Sequence, residues 1–207
     1  MKDSLYIQRE VSLKRRQLWV DGQSLFVGRP DTHSADFFTE LYRLMGINYL
    51  RFFKMDMLSK TLFLASEALW AGSGLSVAEG NEDMAMVFYN GHSSLDADIQ
   101  FQATLQSGAF FPSPSLFICT LANVALGELA IRHKIMGENI TFIAPNFDAA
   151  GCVDHVTALF SAGGCGRALC GWFDFADHQE EADIFLISKE KTNKIFNIRN
   201  ITWKNSL

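Results

Sequence analysis

This sequence is short of several things, and each shortage excludes something. It has only four cysteines in 207 residues (Cys119, Cys152, Cys165 and Cys170), and no two form a CxxC pair. Cys165 and Cys170 have no histidine beside them to complete a zinc site, so no metal is expected. The pattern is that of free, small, buried thiols in a reducing compartment. No apolar run approaches the ~20 residues needed to span a bilayer. Met1–Arg16 is charged and lacks the apolar core of a secretory leader, so a cytoplasmic protein with no membrane partner is expected. There is no basic excess either. Lys and Arg number 18 against 23 Asp and Glu, a net charge of −5, whereas nucleic-acid binding usually requires a basic face.

Apolar residues are plentiful. They make up 48% of the chain, and there are 18 phenylalanines, which implies a thick core or a surface that a partner covers. No internal repeat or low-complexity linker interrupts the pattern. One domain over residues 1–207 is expected, with its core at about 5–190 and residues 191–207 as a tail or hairpin.

Leu5–Leu13 alternates as a strand does. Lys14-Arg15-Arg16 reads as a solvated basic loop, and Gln17–Pro30 as loop. Asp31–Ser34 supplies caps for a helix over Ala35–Leu44. Ser59–Trp70 has helical spacing, and Met84–Tyr89 is a continuous apolar run of the kind buried on both faces of a sheet. Asn90–Asp98 is a donor-rich loop at that strand's C-terminal end, where α/β sheets usually bind ligands. A turn is expected at Gly108–Ser115, then one helix over Leu116–Ile135, a strand Ile140–Ala144, a Pro145-Asn146 corner, and a helix Asn146–Phe160. Arg167–Phe173 and Asp183–Ser188 complete five strands, an α/β layer.

Candidate chemistry is sparse. Cys152 and His155 share a helix face and could form a nucleophilic dyad, or simply pack under the sheet. Ser93 and Ser94 with Asp96 and Asp98 suggest a Ser/acid site, but no G-x-S-x-G elbow surrounds them, and loop capping explains them equally. A cation at Asp96 and Asp98 would need further oxygens. His92 and His133 stand alone in the sequence. Glu128 precedes Arg132 at i,i+4, the spacing of a helical ion pair. Gly163–Gly166 lacks the features of a phosphate loop, and no cofactor is expected.

The series SSLDAD (Ser93–Asp98), SPSLFICTLANVALGELAIRHKIMGE (Ser113–Glu138), ITFIA and GRALCGWFD (Gly166–Asp174), with FFKMDMLSK (Phe52–Lys60), resembles the N-terminal half of β-ketoacyl synthases of the thiolase fold. It is most similar to short ketosynthase-like proteins of aryl-polyene and flexirubin-type pathways. The resemblance covers about Phe52–Glu190. It implies a five-stranded mixed sheet of order 3-2-1-4-5 with helices on both faces. It also implies that Ile140–Ala144 is the edge that pairs with a second copy or a full-length ketosynthase. Ketosynthases hold a nucleophilic cysteine at the turn of the third strand into its helix. Here that place falls on Asn146, which cannot form an acyl thioester. Asn146 would be an amide facing an acyl tunnel, as in chain-length factors, or a helix N-cap after Pro145. Thr141, Ile143, Pro145 and Phe147 would then line the channel or interface. Arg132, His133 and Lys134 would meet an acyl carrier protein, or else complement a helix dipole.

The family's two catalytic histidines lie in its C-terminal half, and this sequence ends soon after the fifth strand without an HGT-like or GHGG-like motif. The expectation is a non-catalytic ketosynthase-like subunit, chain-length-factor-like or a partner, in chain building on acyl carrier protein. The alternatives are a thioester-processing acyltransferase or hydrolase using Cys152/His155 or the Ser93 loop, and a binding module without acyl chemistry.

Overall fold

Three tight turns determine how the sheet is ordered. Arg15-Arg16, Asp21-Gly22 and Asp177-His178 have positive φ at both positions. That backbone belongs to two-residue hairpins, whose twist matches the strands they join. The computed structural model describes residues 4–75, 80–106 and 112–202. The turns connect β1 (Tyr6–Lys14), β2 (Gln17–Val20) and β3 (Gln23–Val27), and later β6 (Arg167–Ala176) with β7 (Gln179–Ser188). With β4 (Met84–Asn90) and β5 (Asn139–Ile143) they form one seven-stranded mixed sheet, ordered β3-β2-β1-β7-β6-β4-β5.

This corrects the expected five strands in two ways. Gln17–Pro30 is not all loop, because Asp21-Gly22 turns it into the hairpin β2–β3. The order is also different: β1 lies beside β7, not between β4 and β6. The tight Asp177-His178 turn obliges β7 to lie against β6. β1 then pairs antiparallel with the other edge of β7, and β4 takes the free edge of β6 in parallel. The basic cluster is not wholly solvated either. Arg16 is buried, ion-paired with buried Glu180, and donates from Nε to the Thr32 carbonyl at 3.0 Å and from Nη2 to Ser34 Oγ at 2.8 Å.

Helices cover both faces of the sheet. Alternation along β4 sends Met84, Met86 and Phe88 to one core and Ala85, Val87 and Tyr89 to the other. The first core contains α1 (Ser34–Leu44), α2 (Met57–Trp70) and α5 (Val124–His133). α2 is apolar on nearly every side and is buried accordingly, from Leu58 to Trp70. The second core lies under α6 (Ala149–Ser161), which buries Cys152, Val156 and Phe160. The short helix α7 (Ile198–Ile201) adds Ile201 to this core, and the preceding strap adds Phe196. That strap is no hairpin. It lies along β1 through Ile7 N–H to the Lys194 carbonyl at 2.8 Å and Phe196 N–H to the Leu5 carbonyl at 2.8 Å. The end of the tail lies outside the described residues.

A short 3-10 turn at Leu50–Lys54 precedes α2, and α3 (Leu95–Gln106) follows β4. The first part of the Gly108–Ser115 turn lies outside the described residues. The single helix expected over Leu116–Ile135 is two. Ser113 Oγ caps α4 (Pro114–Ile118) by accepting from Leu116 N–H at 3.4 Å, and the chain turns before α5 begins at Val124. Glu128 does not pair with Arg132. Arg51 binds it at 2.7 and 2.8 Å, while Arg132 binds Glu67 of α2 at 2.8 and 2.9 Å.

Gly171 sits mid-strand in β6 with φ +144°. A Cβ there would overlap the Asp183 carbonyl oxygen and lie 3.1 Å from Ile184 Cα, both backbone atoms that cannot swing away. Gly171→Ala is expected to lower stability by about 3 kcal/mol or more in urea denaturation. A loss under about 1 kcal/mol would refute so close an approach.

Candidate functional site

β4, β5 and β6 are parallel, so their C-terminal ends reach the same edge of the sheet. β5 leaves that edge through Ala144–Asp148. Ala144 N–H donates to the Asn90 carbonyl at 3.0 Å, which ties this corner to the end of β4. The α6 helix is capped by Asp148, whose Oδ1 accepts from Gly151 N–H at 2.9 Å. Asn146 is therefore not the N-cap. It stands exposed on the corner, ahead of the helix. Below the corner, Tyr89 stacks on Phe142 with ring centroids 4.8 Å apart and meets Phe147 edge-on at 5.5 Å. Burial, then the charges of Cys152 and Asp148, push the Tyr89 hydroxyl up to about 12.

Asp174, buried near the end of β6, organises the loop after β4. Its Oδ1 accepts from Phe175 N–H at 3.0 Å, His92 N–H at 3.2 Å and Asn90 Nδ2 at 3.3 Å. Its Oδ2 lies 2.6 Å from His92 Nδ1. Asn90 also donates to the Phe173 carbonyl at 2.9 Å and accepts from Ser93 N–H. Gly91 fits because a Cβ would lie 2.8 Å from Asp174 Oδ2 and 3.0 Å from the Trp172 ring. His92 is thus not alone: a buried carboxylate orients its ring, while the side chain stays 51% exposed.

Between this loop, the corner and the sheet lies a cleft of about 280 Å³. His92, Asn146, Trp172, Asp174, Glu181 and Asp183 line it, and Ile201 closes one side. Trp172 Nε1 donates to Glu181 Oε2 at 3.3 Å. Asp183 is 4% exposed, and its Oδ1 is sealed from solvent. Ser12 faces it from the register-paired position on β1. Burial pushes the Asp183 carboxyl well above the usual carboxylate range, against the opposing pull of Lys14 and of a hydrogen bond from Ser12.

The other residues singled out by sequence are dispersed. Cys152 lies in the second core beside Cys170, whose thiol burial pushes well up. His155 turns instead to Glu138, 3.3 Å away, and to the Phe142 ring at 5.5 Å. No hydrogen bond joins Cys152 to His155 among the described residues. All four cysteines are free. Ser93 has φ +54° in the turn, and Ser94 Oγ donates to Asp98 Oδ2 at 3.2 Å, both within the loop and the start of α3. Arg132 is held by Glu67 and stacks on Tyr49 at 4.9 Å, and His133 is fully buried against Trp70 with centroids 3.9 Å apart. Of that basic trio, Lys134 alone is exposed. Thr141 is half-buried on β5, and Ile143 is 52% exposed.

Sequence reasoning missed the Asp174–His92 pair and the Glu181–Asp183 cleft. A signal was present: both apolar strands carry an aspartate in mid-run, in CGWFDF and EEADIF.

No family profile matches the chain, and neither does any curated protein sequence. Solved structures do. The ishigamide ketosynthase/chain length factor superposes with a TM-score of 0.65 at 16% identity, covering 92% of this chain and 64% of that one. The structure of a type II PKS acyl-carrier protein in complex with its ketosynthase bound to the hexaketide gives 0.60 at 13% identity, covering 91% and 63%. The ketosynthase ApeO in complex with its chain length factor ApeC from Xenorhabdus doucetiae gives 0.58 at 14%, covering 90% and 79%. The chain has the fold of these ketosynthase-like, thiolase-fold proteins, and it spans under two thirds of the length of the first two.

The Asp183 carboxyl sets a pH dependence. The unfolded chain ionises it near the ordinary value of about 3.9, whereas the folded protein keeps the proton to higher pH. Unfolding in that interval releases a proton, so this group's contribution to stability falls as pH rises through it. Asp183→Asn is expected to flatten the decline and to be the more stable protein near neutral pH. Urea midpoints of both proteins between about pH 5 and pH 8 test this, and equal slopes would contradict it.

Proposed function

We propose that this chain is a ketosynthase-like subunit that does not itself condense acyl groups. It acts beside a ketosynthase, in the manner of a chain-length factor, while a polyene or fatty-acyl chain grows on acyl carrier protein. The observation that carries this reading is Asn146. It occupies the turn from β5 towards α6, in a chain that superposes on ketosynthase and chain-length-factor structures over nine-tenths of its length. An amide there can line an acyl channel but cannot accept the acyl group. The thiol and imidazole that could replace that function, Cys152 and His155, face different neighbours, and Cys152 is sealed in the core.

The surface supports a partner. β5 ends the sheet and pairs only with β4 among the described strands. An edge strand with a free row of backbone groups invites another strand, unless it is covered or broken. Ile143 is exposed on that edge, and Phe117, Ile118 and Leu121, on α4 and the turn after it, are each more than half exposed. We assign this edge to a full-length ketosynthase, with a second copy of the chain as the competing occupant. Thr141, Ile143, Pro145 and Phe147 would be the interface and channel residues, and Lys134, the exposed member of the basic trio, would meet the carrier protein.

Co-expression with a full-length ketosynthase, followed by light scattering, is the test. A stable complex is expected, and Ile143→Lys should weaken it by about tenfold or more, because a charge must then be buried against the partner. A chain that stays a monodisperse monomer with and without the ketosynthase would overturn the reading. Incubation of the chain alone with an acyl thioester should leave its intact mass unchanged. An adduct at Cys152 or Ser93 would favour the acyltransferase or hydrolase alternative.

A further inference from the structure

We infer that the outer edge of β3 is a self-association surface: Gln23–Val27 pairs antiparallel with the same strand of a second copy of this chain, across a two-fold axis at Leu25. The sheet has two open edges, β5 and β3, and association with a ketosynthase would use only β5. β3 pairs with β2 on one side, and among the described residues its backbone makes no hydrogen bond on the other. Such an edge is a template for another strand unless charge, proline, a bulge or shortness blunts it. β3 has no charged residue and no proline. It has only its five-residue length and a bulge at Leu25, which is left over where Leu18 faces Phe26 and Trp19 faces Ser24. Its solvated side chains include apolar ones. Leu25 is 53% and Val27 61% exposed, while Phe26 turns towards the core and stacks on Phe37 with centroids 5.9 Å apart.

The strand complements itself, and this identifies the occupant as a second copy. Antiparallel pairing of identical strands is isologous: if one residue meets a second on the copy, the second meets the first in return. With the axis at Leu25, Leu25 meets its own counterpart, Gln23 falls opposite Val27, and Asp21 falls opposite Arg29. The two ends of the strand carry opposite charges. Arg29 is exposed and has no ion pair, hydrogen bond from its side chain or ring contact among the described residues. Asp21, in the β2–β3 turn, has a side chain 48% exposed, although Arg9 Nε lies 3.2 Å from its Oδ2. The two-fold brings each Arg29 to the copy's Asp21, on either side of an apolar centre. Parallel pairing would set Asp21 against Asp21 and Arg29 against Arg29, which like charges oppose. Five paired residues span about 17 Å, so the contact is small and the dimer is weak and reversible.

The inference does not rest on the ketosynthase reading. Sedimentation equilibrium of the whole chain alone, over roughly 1–200 μM, should show monomer and dimer exchanging. Leu25→Lys should weaken the dimer by about tenfold or more, because two lysines then meet at the axis. Its urea midpoint should stay that of the parent, since the side chain is already exposed. Arg29→Glu and Asp21→Lys should each weaken the dimer as well. An equimolar mixture of these two variants should recover it, because the mixed dimer holds one native pair and one of reversed sign. Asp21→Lys also alters the hairpin turn, and recovery in the mixture separates the two effects. A chain that is monomeric throughout, a Leu25→Lys variant that associates within about twofold of the parent, or a mixture no better than either variant alone would overturn the proposal. So would association that survives Leu25→Lys and is lost in Ile143→Lys, which puts the contact on β5. Failure here leaves ketosynthase association through β5 intact, and failure of that association leaves this equilibrium unaffected.

Discussion

Burial of β4, β6 and β7 on both faces is the constraint on which the rest depends. Every residue of β4 is buried, and strict alternation sends its side chains to two separate cores. A slip of one residue in register would exchange the two sets at once, placing Tyr89 under α2 and Phe88 under α6. The pairing of β6 with both β4 and β7 is therefore tightly specified. Gly171 marks how tightly, since the backbone of β7 approaches β6 too closely there for a side chain.

The same alternation builds the cleft. Along β6, Ala168, Cys170 and Trp172 face α6, and Asp174 is next in that series. Along β7, Ile187 and Phe185 face α6, and Asp183 and Glu181 continue that face towards the hairpin. The apolar half of each series is covered by α6, and the polar half begins where cover gives way to the cleft. Asp174 then converts strand position into loop position, because one carboxylate holds the backbone and ring of His92 and the amide of Asn90.

Periodicity made the central strands and the helices α1, α2 and α6 legible, because each has a long apolar pattern anchored on a core. It could not show β2 and β3, which are short and carry polar residues, although Asp21-Gly22 was a hairpin signal in plain view. Strand order was misjudged for a different reason: it follows from a two-residue turn at Asp177-His178 and from which edges remain free, neither of which has a period. The corner at Asn146 was legible from the Pro145-Asn146 dipeptide. Its cap was not, because Asp148 begins the helix two residues later than the corner suggests. Pairing of His92 with Asp174 joins residues 82 positions apart, so only the topology brings them together.

The carboxyl at Asp183 faces Ser12 across the β1–β7 pairing, and the Ser12 hydroxyl and the Lys14 charge both act on it. Burial outweighs both and raises its pKa well above the usual carboxylate range, at a free-energy cost. Local rules that are broken in an otherwise consistent chain tend to mark function, because stability alone would have removed them. Asp183 breaks the expectation of an apolar strand, and it lines the same cleft as Asn146.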